Sequence, residues 1–311
     1  MICPVLILVG IGAILQKKLT LDITTLSRIT IWVLVPTFLF VKVYDSQVSW
    51  PVIGGVVGVL LVPMAVLGVI VFLVCRRARA KGTTLATVTM SCVVINAGNF
   101  GIPVAELIYD PKGVGLWFEG MTDASDGVTI QALAVMMSNM ALWCIGYSVM
   151  SFMNGGGIKG VFGYFKLPMI YAIVGGFVLR DYSIAIPAAV DYPIRLAAQA
   201  TVPIMLITLG AQLAQNARWP RWKIVGPVML VKLLALPALT ALVAYWCGMW
   251  PWPGAQLVIA ASAPAAVNVL ILTLEMEGDA DMAADCVFWT TIASAVTVTA
   301  VLALVSQAAV G

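Results

Sequence analysis

Long apolar runs of about twenty residues follow one another along this chain, separated by short stretches that hold the charges and the turn-forming residues. A run of that length, rising about 1.5 Å per residue, is what an α-helix needs to cross roughly 30 Å of hydrocarbon. The runs are continuous and do not alternate apolar with polar at period two, so transmembrane β-strands are excluded. With charges and turn residues as boundaries, the pattern predicts ten helices, at 1–16, 24–43, 52–75, 84–109, 127–152, 167–181, 191–213, 222–248, 254–275 and 284–309.

Two of these runs are broken near their middle. Asn96-Ala97-Gly98-Asn99-Phe100-Gly101-Ile102-Pro103 interrupts the fourth, and Ser262-Ala263-Pro264-Ala265-Ala266-Val267-Asn268 interrupts the ninth. Non-helical backbone at bilayer depth leaves N–H and C=O groups unpaired, at several kcal/mol each, unless protein or a polar cavity receives them. Paired breaks at corresponding places in two halves are the pattern of a secondary transporter whose substrate sits between discontinuous helices.

Composition agrees with a membrane setting. Some 62% of residues are hydrophobic and only 10% charged, against roughly a quarter charged in soluble domains. The chain holds no histidine, which removes imidazole acid–base chemistry and the histidine-based zinc signatures. Neither a GxSG nor a GxGD motif is present, so an intramembrane enzyme finds no catalytic constellation. The six cysteines stand singly in or beside apolar runs and read as small core residues, with no disulfide framework and no metal site. No cofactor is expected. The net charge of +3 comes from loop lysines and arginines and forms no face for nucleic acid.

Lys and Arg set the orientation. Loops after odd-numbered helices carry twelve of them and loops after even-numbered helices four, with Lys232 left inside a span. The odd loops are therefore expected in the cytoplasm and both termini outside it, in a multi-pass protein of the cell's inner (plasma) membrane. The first run, with no basic residue ahead of it and Lys17-Lys18 behind, is the reverse of a secretory signal.

Prolines and breaks repeat with nearly one offset. Pro4 and Pro168 are 164 apart, as are Pro63 and Pro227; Pro36 and Pro203 are 167 apart; Asn99 and Pro264, like Pro103 and Asn268, are 165 apart. A five-helix unit used twice has to be inverted the second time, so two inverted repeats are expected, at 1–152 and 153–311.

With these residues in view, the chain resembles the auxin efflux carrier family, which includes plant PIN-type auxin exporters and bacterial members, over nearly its full length. The resemblance is carried by Val33-Leu34-Val35-Pro36, by Asn96 followed by Gly101-Ile102-Pro103, by Ala263-Pro264 followed by Asn268, and by Lys232-Leu233-Leu234-Ala235-Leu236-Pro237. Only Ser151 to Lys166 join the fifth and sixth helices, so the long loop of plant carriers is missing and an auxin substrate does not follow. The resemblance implies an all-α membrane protein with the fold of bile acid:sodium symporters. In that fold helices 1, 2, 6 and 7 form a scaffold panel, helices 3–5 and 8–10 form a transport core, and helices 4 and 9 cross as an X. It further implies elevator-like or rocking transport of a small organic carboxylate, such as a dicarboxylate or an indole acid, with export as the expected direction and a homodimer as a possible assembly. The alternative is a sodium-coupled symporter of the bile acid type, which needs several oxygen ligands around the crossing.

Half-helix N-termini at each break, each with about half a positive charge, favour an anionic guest. Asn96, Asn99, Asn268 and Asn139 are the candidate substrate ligands, their amides donating to a carboxylate without burying a full charge; the bland reading is that they cap half-helices or join helices. Gly98, Gly101, Pro103 and Pro264 make the breaks. Lys232, a costly intramembrane cation, stands either as a fixed charge where sodium-coupled relatives hold an ion or in a structural pair. Glu106 reads as a proton or cation site or as an interfacial residue. Gln131, Thr208 and Gln212 are polar in apolar surroundings, either joining helices or lining a cavity.

Overall fold

The computed structural model describes residues 3–80, 82–110, 114–146, 168–215, 219–275 and 278–309. Among them regular structure is helical throughout, and no strand forms. In chain order the helices are α1 Cys3–Leu19, α2 Ile23–Asp45, α3 Trp50–Arg77, α4 Gly82–Val93, α5 Ile102–Tyr109 and α6 Ala124–Met140. There follow α7 Pro168–Asp181, α8 Ala188–Gln215, α9 Trp222–Trp246, α10 Gly254–Ala261, α11 Val267–Glu275 and α12 Ala280–Val305. Five described helices are long and apolar enough to cross a membrane: Ile23–Asp45, Trp50–Arg77, Ala188–Gln215, Trp222–Trp246 and Ala280–Ala308. The runs predicted at 84–109 and 254–275 are each two shorter helices, α4 with α5 and α10 with α11, parted at the expected breaks. The connection Ser151 to Lys166, and with it the boundary drawn at 152, lies outside the described residues.

Proline shapes three of the helices in the same way. Pro36, Pro103 and Pro237 each follow a widened, π-type turn, at Thr30–Leu34, Ala97–Gly101 and Val231–Ala235. A proline has no N–H and its ring crowds the carbonyl four residues back, so the preceding turn loosens by one residue. Val35 and Leu236 accordingly donate to Thr30 and Val231, and the Gly101 amide reaches Asn96 O at 3.0 Å, each five residues back. Four of the singled-out residues, Gly98, Asn99, Gly101 and Lys232, sit in these turns.

Acidic caps start several helices. Asp22 accepts from the Thr24 and Thr25 amides ahead of α2, Asp123 and Asp126 form a capping box on α6, and Asp279 accepts from Met282 N at the start of α12. The Arg221 guanidinium, bonded to Asp279 at 2.8 Å and to Asp285 at 3.0 Å, ties the start of α9 to α12 and holds the Asp279 carboxyl below the usual carboxylate range.

Outward faces are apolar, as lipid requires: Val62, Val66, Val69, Ile70, Leu73 and Val74 of α3 all stand exposed. Trp252 stacks on Phe118 and meets Tyr109 in a T-shaped contact. Between α1 and α8 the contact is backbone on backbone. A Cβ on Gly12 would collide with the Ile207 carbonyl, and one on Gly210 with the Val9 carbonyl, the small-residue close approach by which helices associate in lipid. Gly210→Ala should therefore destabilise the protein by about 1–3 kcal/mol. Gly10→Ala, where a Cβ meets nothing within 4 Å, should leave the melting temperature unchanged or slightly higher in the same thermal scan.

Candidate functional site

The two breaks meet each other. Val94–Asn96 and Pro264–Ala266 run antiparallel with Ile95 opposite Ala265. The Asn96 N–H donates to Pro264 O at 2.8 Å, and the Ala266 N–H donates to Val94 O at 3.3 Å. The backbone between these bonds is served by hydroxyls from flanking helices. Ser138 of α6 donates to Ile95 O at 2.8 Å and accepts from Ile95 N at 3.1 Å. Thr290 of α12 accepts from Ala265 N at 3.1 Å and donates to Cys286 O at 2.7 Å. At bilayer depth each such group would otherwise cost several kcal/mol, so these bonds are what allows the breaks to exist.

A buried amide relay secures the widened turn after the first break. Tyr109 OH donates to Gln256 Oε1 at 2.9 Å, Gln256 Nε2 to Gln131 Oε1 at 2.7 Å, and Gln131 Nε2 to Ala97 O at 2.7 Å. Both glutamines are fully buried. Gly101 is demanded by this relay, since a Cβ there would collide with Gln131 Nε2. At Gly98 a Cβ would meet only Met205, at an ordinary 3.9 Å, so no close approach requires that glycine.

Beside the bridge lies a polar cavity of about 70 Å³. The first break contributes Asn96, Gly98 and Asn99, and the second Ala266, Val267 and Asn268; Ser138 and Asn139 come from α6. The opposite wall is α2 with Ser27 and Thr30, and α8 with Met205, Thr208 and Gln212. Asn268 Nδ2 donates to Asn139 Oδ1 at 2.9 Å, and Asn139 Nδ2 donates to Val135 O at 2.8 Å. Asn96 Nδ2 and Thr208 Oγ1 are buried and have no hydrogen-bond partner among the described residues. Buried donors are rarely left so, and these two lie on a cavity wall. The first turns that follow the breaks, at Gly98-Asn99 ahead of α5 and at Val267-Asn268 in α11, border the same space, and the opening amides of such a turn have no partner within their own helix. Ser27, Ile31, Gln212, Val267 and Ile271 also line a wider vestibule of about 600 Å³, whose rim holds Arg28.

Lys232 stands elsewhere. Fully buried, it donates from Nζ to Ala261 O at 3.3 Å, at the C-terminal end of α10. Cys92, one residue short of the end of α4, lies within its electrostatic reach. Its amine thus sits at the C-terminal end of α10, whereas the cavity is bordered by the stretches that begin the helices after the breaks. Glu106 is away from the cavity as well: its Oε1 accepts from Lys42 Nζ of α2 at 2.8 Å, and Lys42 also lies 5.5 Å from the Phe38 ring. Its Oε2 is buried without a partner.

The structure thus brings Asn96, Asn99, Asn139, Asn268 and Gly98 to one cavity, with Thr208 and Gln212. Pro264 lends its carbonyl to the bridge, and Pro103 and Gly101 are buried behind it. Ser138, Thr290, Gln256, Tyr109 and Lys42 were not among the residues picked from sequence. Ser138 and Thr290 are hydroxyls in the apolar helix after each break, a pattern too common in such helices to single them out.

An apolar all-helical body with two interrupted helices whose breaks line a polar cavity defines the class, an integral membrane transporter. Residues 157–302 match the family described as "Membrane transport protein". Over 309 residues, 95% of this chain and 94% of its relative, the sequence is 24% identical to an uncharacterized transporter of Methanothermobacter thermautotrophicus. The family match thus covers the second half of the chain, and the likeness to the transporter runs along nearly all of it.

If the hydroxyl clamps hold the breaks, Thr290→Val, close in shape but without the acceptor, should orphan the Ala265 amide and cost about 1–3 kcal/mol in a thermal or denaturant melt. Thr290→Ser should retain wild-type stability; equal losses in both variants would mean that packing rather than the hydrogen bond is responsible.

Proposed function

We propose that this protein is a secondary transporter that moves a small organic anion, a carboxylate, across the inner (plasma) membrane by alternating access, in the direction of export. The observation that carries the reading is the Asn96 amide, buried and unpartnered on a polar cavity at which two half-helices begin. An anion is the guest that satisfies both the amide and the first-turn N–H groups. In this reading the chain is a ten-helix pair of inverted repeats, 1–152 and 153–311, with the two broken helices crossing. α1, α2, α7 and α8 form the scaffold and the remaining helices the transport core. In support, α1 packs along α8, and α2 packs on α7 and α8, while the cavity lies between α2 or α8 and the breaks. Twelve basic residues on the expected cytoplasmic side against four on the other orient both termini outward, so the vestibule at Arg28 opens to the cytoplasm. Lys232 disfavours the sodium-coupled alternative, because an ammonium already occupies the electronegative side of the meeting.

Purified protein in liposomes should exchange a labelled small carboxylate, and Asn96→Ala and Asn268→Ala should each reduce this at least tenfold while the protein stays folded. Failure of folded wild-type protein to bind or move any carboxylate, with or without sodium and at two pH values, would falsify the reading.

The Lys42–Glu106 ion pair joins scaffold to core in this division, so it has to part during the cycle. A Lys42→Cys/Glu106→Cys protein, once oxidised, should lose transport and regain it with a thiol reductant, while either single variant remains active. Undiminished transport by the cross-linked protein would refute relative movement of these two parts.

A further inference from the structure

We infer that the cavity at the breaks selects a small hydroxylated monocarboxylate and discriminates against dicarboxylates and aromatic acids; this rests on the organic-anion reading above and narrows it. Charge comes first. Two helix N-termini present about one positive charge between them, roughly half from each. Among the described residues that line the cavity, none is Lys, Arg, Asp or Glu. Lys232 is committed to the Ala261 carbonyl on the opposite side of the meeting, and Arg28 borders only the wider vestibule. One carboxylate is thus matched, and a second would be desolvated with no countercharge.

Shape and hydrogen bonding narrow the class further. Among the described lining residues there is no Phe, Tyr or Trp, so an indole or phenyl ring finds no stacking partner among them. At about 70 Å³ the space amounts to some five water-sized positions at roughly 10–15 Å³ each, enough for a carboxylate with two or three further carbons. Its walls are unusually polar for bilayer depth. Asn96 Nδ2, on a residue only 4% exposed, is free to meet the carboxylate. Thr208 Oγ1, on a residue 3% exposed, also lacks a partner, and a hydroxyl can both donate to and accept from it. Ser27 and Thr30 add further hydroxyls on the α2 side. A hydroxyl-bearing ligand satisfies groups that a plain fatty acid leaves unpaired, and that difference is where a polar site gains selectivity.

The test uses purified full-length protein, with thermal shift for binding and competition in liposomes for transport, at neutral pH. The probes are glycerate, propionate, malonate, malate and indole-3-acetate. Glycerate and malonate are equal in heavy atoms, glycerate carrying two hydroxyls where malonate carries a second carboxylate, so they separate charge from size. Glycerate should compete at least tenfold better than malonate or malate, several-fold better than propionate, and indole-3-acetate should not compete. Thr208→Val should erase the preference of glycerate over propionate while leaving propionate binding in place, and Thr208→Ser should restore it. Malonate or indole-3-acetate matching glycerate in the wild type, with binding lost in Asn96→Ala, would overturn this selectivity yet leave the organic-anion reading standing. Absence of binding by every carboxylate would overturn both.

Discussion

Everything in this molecule depends on how two short stretches of unwound backbone are kept satisfied in the middle of a membrane. Water cannot serve their N–H and C=O groups there, and each one left alone costs several kcal/mol. The solution is mutual: each break supplies an acceptor and a donor to the other, through Asn96 to Pro264 and Ala266 to Val94, and one hydroxyl from a neighbouring helix completes each side. Because these bonds are internal, the amides of the following helical turns remain free to face a cavity. The electrostatic asymmetry of the site follows from the same arrangement. Helix ends of one sign look into the cavity, and ends of the other sign look toward Lys232.

The widened turns belong to the same economy of backbone groups. Where a proline withholds its N–H, the preceding turn loosens to a five-residue spacing instead of breaking outright. This happens in α2, which forms a cavity wall, in the stretch between the first break and α5, and in α9 at Lys232. Not every proline acts this way: Pro63 in α3 and Pro203 in α8 lie inside helices that stay regular.

Much of this was legible in the sequence because its strongest signals are local. Apolar run lengths identify a helical membrane protein, and proline, glycine and asparagine inside such runs mark both breaks within a residue or two. Asn96 and Asn268 stand out for the same reason, since an amide in lipid is costly unless it has a task. What could not be read are relations between distant residues. A lone serine or threonine in an apolar helix is as often bonded to its own carbonyl four residues back, so Ser138 and Thr290 do not announce that they clamp a break. Lys42 and Glu106 look like residues at the edges of spans, and only the fold, which brings the two side-chain tips within 2.8 Å, makes them a pair. Gln256 lies among apolar neighbours with nothing in the chain nearby to say that it continues a relay from Tyr109 to Ala97. The family match, in turn, covers the second break but not the first.

Reciprocal satisfaction of the breaks has a consequence for biosynthesis. The partners of Val94 and Asn96 are encoded roughly 170 residues downstream, so at about 5–20 residues per second they emerge some 8–34 s later. Until then the first half of the chain must sit in the membrane with part of its backbone unpaired, sheltered by insertion machinery or held back toward the interface. Assembly of this protein is therefore expected to be decided late, when the second break arrives, and truncated chains ending before Pro264 should be handled by the cell as unfinished.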